Sequence, residues 1–355
     1  MAFFVTKLRY KLANTDIRPH MNLIPNIPLL IRLRRNFSPV RMAWYFVSLW
    51  VFVSIFSDFI ANDRPLTCVI SSQRRWPICQ KMAEQHGWTQ YDAALRNFDF
   101  STAEQAIWPL LRFAANTYDP PRGVAAPDQT HLLGTHDLGR DVAAGLLSGA
   151  RKALIVGLVS VLLAVAVGLF FGSIAGMSRQ RNNGALATIF SADALILRIL
   201  EVYQSMPNLL LLLVLAGIIE RPTIWHICGI IAIIEWPIFA QLIRTELRKI
   251  RQLDYIQAAQ ALGLSPFRIF WRHALPNALG STLVASAFIA GQAILIESSL
   301  SFLGIGLPPD EVSWGNILNS IRAYPSAWWL AVYPGLALFA VIASLYTIGQ
   351  HVRQR

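Results

Sequence analysis

Charge is scarce in this sequence of 355 residues. Only 14% of the residues are charged, whereas 54% are hydrophobic, and the mean hydropathy is +0.44. Soluble domains carry roughly 25% charged residues. The shortage excludes an ordinary soluble domain and is typical of a membrane protein.

Catalytic and metal-binding motifs are missing as well. The sequence contains no G-x-x-x-x-G-K-[ST] phosphate loop, no H-E-x-x-H zinc motif and no G-x-S-x-G nucleophile elbow. Its seven histidines stand at no metal-ligand spacing. We therefore expect a non-catalytic chain that binds no metal and no cofactor of its own.

Cysteine is also rare, with three residues in the whole chain. Cys68 and Cys79 lie in the only sizeable polar region, residues 62–152, and Cys228 lies in an apolar stretch. An oxidising compartment would permit a disulfide between the first two, and the sequence leaves open whether it forms. We interpret Cys228 as a small buried hydrophobe.

Long apolar stretches, by contrast, are abundant. A helix needs about 20 apolar residues to cross the hydrocarbon layer of a bilayer. Six stretches with at most one acid meet this length, and they cover residues 42–61, 153–178, 199–219, 222–243, 277–296 and 323–350. The sequence predicts an all-α polytopic membrane protein with six transmembrane helices.

Lys and Arg predict the orientation, because short cytoplasmic loops are enriched in them. Residues 1–41 contain eight basic residues and one acid, and six spans place the basic segments 179–181, 244–272 and 351–355 on the same side. We expect both termini to be cytoplasmic. The net charge of +11 then reflects topology and attraction to anionic membrane lipid, and nucleic acid is not an expected partner.

The spans and the polar region divide the chain into five parts. We predict a cytoplasmic N-terminal arm (1–41), a first transmembrane helix (42–61), an extracytoplasmic insert (62–152), a five-helix core (153–350) and a cytoplasmic C-terminus (351–355). The arm mixes cations with Leu, Ile and Pro, which suits either an interfacial segment or a mobile tail.

A basic, helix-like stretch, "DYIQAAQALGLSPFRIFWRHALPNAL", separates two apolar spans. Asp254 and Gln257 have the spacing of a capping box, which predicts a helix start at Asp254. The following residues are small, strong helix formers. Gly263 suits the left-handed turn that ends a helix. We predict a short helix with an alanine-rich face, followed by a sharp corner.

A second helix follows the corner. Ser265 is a candidate cap and Pro266 suits the first helical position. Arg268 and Arg272 then share one face at i, i+4 spacing, and Pro276 is predicted to end the helix at the membrane. Another face groups three aromatic residues, Phe267, Phe270 and Trp271.

This stretch resembles the EAA loop of ABC importer permeases, in which E-A-A is followed by a Gly and then by H-x-L-P. The matching residues are Ala258, Ala259, Gly263, His273, Leu275 and Pro276. Gln257 departs from the pattern, because the family usually carries Glu there. The resemblance assigns an ATPase-coupling loop to residues 250–277, with the residues Asp254, Gln257, Ala258, Ala259, Gly263, Ser265, Arg268, His273 and Pro276.

Three further segments resemble the dipeptide/oligopeptide branch of the same family. "LGTHDLGRDV" resembles LGTDxLGRDV, with His136 in place of Asp, and "ESSLSFLGIGLPPDEVSWGN" from Glu297 resembles ExSLSFLGLG…SWG. "YPGLAL" from Tyr333 resembles the last helix. The long insert and "SDFIANDRPL" are similar to the subgroup of permeases for oligopeptide and microcin uptake.

The resemblance implies a type I ABC importer permease fold in a bacterial inner membrane. Expected partners are a second homologous permease, two ATPase subunits (or one fused ATPase) and a periplasmic solute-binding protein. ATP and Mg would be used by the ATPases. The second to fifth spans would line the pathway, including Gln204, Ser205 and Asn208 around Pro207, and we expect Pro207 and Pro237 to kink their helices.

Three glutamates accompany the spans: Glu201, Glu235 and Glu297. Acids are costly in hydrocarbon, so they are candidates for a pathway or a proton relay. Each also lies near a predicted span end, where it can reach the interface or cap a neighbouring helix. The sequence leaves open whether the three glutamates have this functional role or a structural one. A relay would make the protein a proton- or ion-coupled secondary carrier, which the lack of a visible repeat argues against.

Overall fold

The computed structural model describes residues 39–70, 73–85, 98, 100, 104–178 and 192–354. The predicted N-terminal arm lies outside this part of the chain except for its last three residues. The helices in chain order are α1 (Pro39–Ile60), α2 (Pro77–Gln85), α3 (Val142–Met177), α4 (Ala192–Gln204), α5 (Asn208–Gly217), α6 (Ile224–Arg251), α7 (Asp254–Ala261), α8 (Pro266–Ile269), α9 (Leu275–Phe302), α10 (Trp314–Ser320) and α11 (Trp329–Arg353). The strands are β1 (Thr67–Ile70), β2 (Gln73–Arg75), β3 (Glu104–Ile107), β4 (Thr135–His136) and β5 (Arg140–Asp141).

Five helical segments within the described residues are long and apolar enough to cross a membrane: α1, α3, α6, Pro266–Phe302 and α11. The pair formed by α4 and α5 bends by 82° between Gln204 and Asn208, and it makes a sixth span if the two helices count as one. Pro207 lies at this break, which confirms the predicted kink. Pro237, in contrast, lies inside an unbroken α6.

The centre of the bundle is the packing of α3 against α6. Three glycines spaced four residues apart, Gly168, Gly172 and Gly176, face α6 so closely that a methyl group would not fit. A Cβ at Gly168 would lie 2.5 Å from the Phe239 Cβ, and one at Gly172 would lie 2.7 Å from the Ala240 carbonyl oxygen. Small residues at this spacing let membrane helices approach closely.

The second spanning helix begins at Val142, eleven residues before the predicted span. Asp141 caps α3, because its carboxylate accepts a hydrogen bond from the Ala144 amide at 2.7 Å. The helix then continues through two cations that were assigned to the insert. Arg151 Nη1 lies 2.5 Å from Asp58 Oδ2, and Lys152 pairs with Glu311. These pairings neutralise the two cations and allow them to lie within a spanning helix.

The last spanning helix also differs from its prediction, since α11 begins at Trp329 rather than at residue 323. The residues before it include the short helix α10, which is capped by Ser313. The polar region before α3 contains two small antiparallel sheets, with strand order β2-β1-β3 in one and β4-β5 in the other. The predicted all-α class holds for the spanning helices, and these short strands are an addition that the sequence did not indicate.

Cys68 and Cys79 are free cysteines, so the candidate disulfide is not formed. Cys68 is buried on β1, where it packs with Phe100, whereas Cys79 is exposed on α2. Burial raises the pKa of the Cys68 thiol, and the positive charge of Arg75 opposes this only in part. The two thiols therefore occupy different environments, and the buried one is poorly suited to thiol exchange. Cys228 is buried, as predicted.

Candidate functional site

The short helix α7 begins at Asp254, as predicted, but not through a capping box. Its N-cap is Leu253, whose side chain makes no cap hydrogen bond. The Gln257 side chain instead donates from Nε2 to the carbonyl of Gln252 at 3.1 Å. The predicted box fails because Asp254 is the first helical residue, so its carboxylate is one position too late to cap. At the first helical position, the negative charge of the Asp254 carboxylate stabilises the helix by interacting with the positive end of the helix dipole.

The corner after α7 has the backbone geometry predicted for Gly263. Its φ is +79°. The Gly263 amide donates to the Gln260 carbonyl at 3.0 Å, and the Leu264 amide donates to the Ala259 carbonyl at 3.2 Å. These two bonds define a Schellman motif, which satisfies the last carbonyls of the helix. The chain direction after α7 is thus fixed by hydrogen bonds.

The next helical segment starts as predicted and ends differently. Ser265 caps it, accepting from the Arg268 amide at 3.4 Å, with Pro266 in the first turn. Pro276 does not end it. A π turn over Phe270–Ala274 leads directly into α9, so the helix runs on to Phe302. The wider turn relieves the clash between the proline ring and the preceding turn.

One face of this corner is exposed and the other is anchored. Leu262 is 81% exposed and Phe267 is 73% exposed, and Trp271 also faces outward. Ile256 and Ile269 are buried, and they pack in one cluster with residues of α3, α6 and α9. Sequence inspection missed these two anchors. Ile256 stands before a run of small and polar residues, which was the available signal, whereas Ile269 stands among aromatic residues and has no such signal.

Further contacts tie the corner to the bundle. Asn277 Nδ2 donates to the Tyr255 hydroxyl at 3.2 Å, and the Tyr255 and His273 rings meet edge to face. Arg251, at the end of α6, donates to the carbonyls of Gly176 and Ser178 at 3.2 and 3.1 Å. The corner is therefore connected to the ends of α3, α6 and α9.

The three glutamates occupy different environments. Glu201 is exposed on α4, whereas Glu235 and Glu297 are buried in the bundle. Glu235 Oε1 accepts from Gln292 Nε2 at 3.1 Å, and Glu297 accepts from Ser301 Oγ at 2.9 Å. The suggestion that Glu235 reaches an interface or caps a helix was wrong, because it lies in the middle of α6. No hydrogen bond joins any two of the three glutamates in the described part of the chain.

The polar residues at the helix break are accessible. Gln204, Ser205 and Asn208 are all exposed in this chain, on either side of Pro207. The Tyr203 hydroxyl donates to the carbonyl of Ile233 at 2.6 Å, which holds the end of α4 against α6. The break therefore presents polar side chains and backbone groups on a surface that this chain does not cover.

At the opposite end of the bundle from the corner, the motif around residues 131–141 is held to the chain's later segments. His131 Nδ1 lies 2.7 Å from Asp141 Oδ2, with both side chains buried. Trp314 donates from Nε1 to the Leu146 carbonyl at 2.9 Å, and Trp329 donates to the Thr135 carbonyl at 3.1 Å. Two segments that are distant in sequence thus form one packed unit.

Comparison with known proteins identifies the family. Residues 168–355 match the family described as the binding-protein-dependent transport system inner membrane component, and this match covers the corner, α6, α9 and the end of α3. The chain belongs to this family. It is a multi-pass permease of the inner membrane, and it acts in a binding-protein-dependent ABC importer.

Relatives of this permease cover most of its length. A Brucella suis (biovar 1, strain 1330) protein named as a peptide permease is 32% identical over 260 residues, which are 72% of this chain and 81% of that protein. The peptidoglycan transport system permease protein YejE of Agrobacterium fabrum (strain C58) is 28% identical, covering 92% of each chain. The inner membrane ABC transporter permease protein YejE of Escherichia coli (strain K12) is 29% identical over 86% of this chain and 91% of its own.

Among solved structures, the inward-facing MetNI methionine ABC transporter matches with a TM-score of 0.48 and 19% identity, over 60% of this chain and 97% of that one.

Proposed function

We propose that this permease is one of two membrane subunits of an ATP-driven importer for peptides or peptide-like compounds. The names of its relatives in Brucella and Agrobacterium support this substrate class. The second subunit would be a homologous permease, and two ATPase subunits would hydrolyse ATP with Mg. This chain would be non-catalytic and would bind no cofactor. A periplasmic solute-binding protein would deliver the substrate.

The proposed topology has six spans, with α4 and α5 forming one broken span. The corner and both termini would be cytoplasmic, and the insert between α1 and α3 would be extracytoplasmic. The distribution of cations supports this orientation, because Arg244, Arg248, Lys249 and Arg251 gather at the corner end of the bundle. Short cytoplasmic loops are enriched in such residues.

The corner carries the proposed coupling to the ATPase. Its first helix exposes Gln257 and Ala258, its Schellman turn fixes the direction of the chain, and Ile256 and Ile269 anchor both helices on the bundle. A partner that binds the exposed face of the corner and then moves would therefore move α6 and α9 as well. This combination of an exposed face and a fixed base is the observation that carries the proposal. Asp254, Ser265, Arg268, His273 and Pro276 complete the coupling loop.

The pathway would pass the helix break. Gln204, Ser205 and Asn208 are exposed there, and Glu201 lies on the same exposed helix. Both carboxylate oxygens of the buried Glu297 accept from serine hydroxyls, which is what a structural carboxyl group requires. Glu235 Oε1 accepts from Gln292, but its buried Oε2 has no hydrogen-bond partner among the described residues. We assign Glu297 a role in holding the bundle together and keep Glu235 as a candidate for the pathway. A protonophore that leaves uptake intact, combined with a Walker-defective ATPase that abolishes it, would exclude the secondary carrier.

Cross-linking tests the coupling directly. In a Cys79→Ser background, Ala258→Cys, which is exposed on α7, should form a disulfide or a short thiol cross-link with a cysteine placed on the ATPase surface. Lys249→Cys, which is exposed on α6 before the corner, is the matched control and should cross-link much less. If the assembled complex gives equal cross-linking at both positions, or if no ATPase copurifies with the permease, the proposal is wrong.

A further inference from the structure

A polar cavity of about 760 Å³ lies at the insert end of the permease. Four separate segments line it: the turn at 136–140, the end of α5 with residues 216–222, the end of α9 with residues 301–312, and α10. Small-molecule sites span roughly 300–1,000 Å³. The cavity is therefore large enough for a small ligand, and it lies where the two motifs around residues 131–141 and 297–316 meet.

Directly beneath its wall lie polar atoms that have no hydrogen-bond partner in the described part of the chain. Both ring nitrogens of His136, Oδ1 of Asp137 and Nε of Arg140 are buried without a hydrogen bond among the described residues. His136 is only 4% exposed. Unpaired buried polar groups are rare in folded proteins, because each one costs free energy. Four such atoms within five residues call for a ligand that can pair with them.

The protonation state of the His136 ring limits which ligand groups it can bind. Burial lowers the pKa of His136 to about 4, while Asp137 opposes the shift and Arg140 adds to it. The ring is therefore neutral at pH 7, with one nitrogen as a donor and the other as an acceptor. A peptide group has the same pair of functions, a C=O and an N–H. The ring therefore matches a peptide group better than it matches an anion.

The remaining groups favour a positively charged end of the ligand. Arg140 is already occupied, because Nη1 donates to the Pro309 carbonyl at 2.8 Å and Nη2 donates to the Tyr118 hydroxyl at 2.7 Å. It cannot offer the bidentate fork that a carboxylate or a phosphate prefers. Asp137, Glu220 and Asp310 supply three carboxylates to the lining, against Arg140 and Arg221. The lining thus carries more carboxylates than guanidinium groups.

We propose that this cavity receives the amino-terminal end of a peptide substrate, with its ammonium group on the Asp137 carboxylate and its first peptide group on His136. The unpaired atoms lie beneath the cavity surface, so binding of the peptide requires that both side chains rotate towards it. The inference rests on the proposed function, because it assigns a subsite for the peptides that the permease would transport.

Photo-cross-linking with a defined peptide tests the subsite. The probe is the tripeptide alanyl-p-benzoylphenylalanyl-alanine, added to the assembled permease and ATPase complex without the binding protein. We expect cross-links to map by mass spectrometry to residues 136–140, 216–222 or 301–319. Acetylation of the probe's amino group should lower the yield about tenfold, because a hydrogen bond between two charged groups is lost.

Variants separate binding from folding. Asp137→Asn should lower the yield by a similar factor for the free peptide and should make it insensitive to acetylation. Asp63→Asn is the control, because Asp63 pairs with Lys81 in the insert and does not line the cavity. It should cross-link like the wild type. Cross-links that map elsewhere, or a yield that neither acetylation nor Asp137→Asn changes, would overturn the proposal.

Two further measurements distinguish the alternatives. If the binding protein, added without peptide, becomes cross-linked to a photoreactive residue placed at Asp310 and displaces the probe, the cavity is a docking site for that protein and the proposal fails. ATP-dependent uptake of trialanine by the wild-type complex, measured with its binding protein present, tests the proposed function separately. Uptake without cavity cross-links refutes the subsite alone, whereas cavity cross-links without uptake refute the peptide import function.

Discussion

Arg244 on α6 holds Asp193 on α4 through two contacts, with Nε 2.5 Å from Oδ1 and Nη2 3.1 Å from Oδ2. Arg248, one turn further along α6, also pairs with Asp193. The carboxylate is 14% exposed, so it is a largely buried ion cluster. Since α7 follows α6 after two residues, this cluster links the corner to α4, the helix that precedes the break at Pro207.

Removing this link should reduce the rate of transport by more than it reduces the rate of ATP hydrolysis. Asp193→Asn leaves Arg244 and Arg248 without their carboxylate. Breaking a buried ion pair lowers the free energy of unfolding by up to roughly 3–5 kcal/mol. The loss should be smaller here, because Arg248 is partly exposed. We expect a lower midpoint of thermal unfolding in detergent and a fall in uptake per ATP hydrolysed in proteoliposomes.

The control for this variant is Glu246→Gln, because Glu246 pairs with the exposed Lys249 on the surface of the same helix. Such i, i+3 pairs contribute about 0.5 kcal/mol or less. Equal losses in the two variants would show that the Asp193 cluster has no special part in coupling.

Two glycines near the corner predict opposite effects of the same substitution. Gly263 has φ +79°, whereas Gly280 lies in α9, and a Cβ at either position would meet no atom within 4 Å. Gly263→Ala should therefore cost about 1 kcal/mol through backbone strain alone, and it should lower ATP-dependent uptake by loosening the corner. Gly280→Ala should be neutral or stabilising, because alanine favours a helix by about 1 kcal/mol.

Gly263→Asn refines this test, since asparagine tolerates the left-handed conformation better than alanine does. It should recover most of the uptake and most of the stability. Were Gly263→Ala and Gly280→Ala to behave alike in the same uptake and unfolding assays, the geometry of the corner would not matter for coupling.

The corner could be predicted where its structure depends on local sequence. Gly263 and Ser265 act as expected, because a left-handed turn and an N-cap are set by a few neighbouring residues. The end at Pro276 was wrong, because the π turn before it depends on the packing of Ile269 and Ala274 against other helices. No pattern in the sequence specifies that packing.

The start of α3 shows a second limit. Arg151 and Lys152 made residues 142–152 look like part of a polar insert. Their partners, Asp58 and Glu311, are distant in sequence, and only the folded chain brings them together. The polar cavity at the insert end had no sequence signal for the same reason. Its lining comes from four segments, and the sequence indicated only that His136 replaces the usual Asp.

His136 predicts a dependence of stability on pH. The unfolded chain takes up a proton on this ring near pH 6.5, whereas the folded chain does so only near pH 4, because the ring is buried beside Arg140, with only Asp137 favouring the proton. Stability should therefore be unaffected by this group above pH 7 and should fall as the pH drops from 6.5 towards 4. The shift corresponds to roughly 3 kcal/mol over that range.

The measurement is the unfolding midpoint of the purified permease between pH 7.5 and 4.5. His136→Gln keeps a polar side chain and removes the titration, so its midpoint should fall less steeply with acid than that of the wild type. The other charged groups of the cavity, Glu220, Arg221 and Asp310, are unchanged in the comparison. Identical pH profiles for the two proteins would contradict the assignment of this dependence to His136.

The glycine row of α3 predicts a large effect of a single methyl group. A Cβ at Gly172 would lie 2.7 Å from the Ala240 carbonyl oxygen and 3.1 Å from the Ile243 Cβ, and neither of these atoms can move without moving α6. Overpacking of this kind costs about 1–3 kcal/mol. Gly172→Ala should therefore lower the unfolding midpoint and the yield of folded permease, and it should separate α3 from the helix that leads into the corner.

Gly229 on α6 provides the matched control for this substitution, because a Cβ there would meet no atom within 4 Å. Gly229→Ala should leave the unfolding midpoint unchanged or raise it, since alanine favours the helix. The difference between the two variants measures the close approach of α3 and α6 separately from helix propensity. If Gly172→Ala were as stable as Gly229→Ala, the two helices would have to lie further apart than this structure places them, and the path proposed here from the corner to the bundle would lose its central contact.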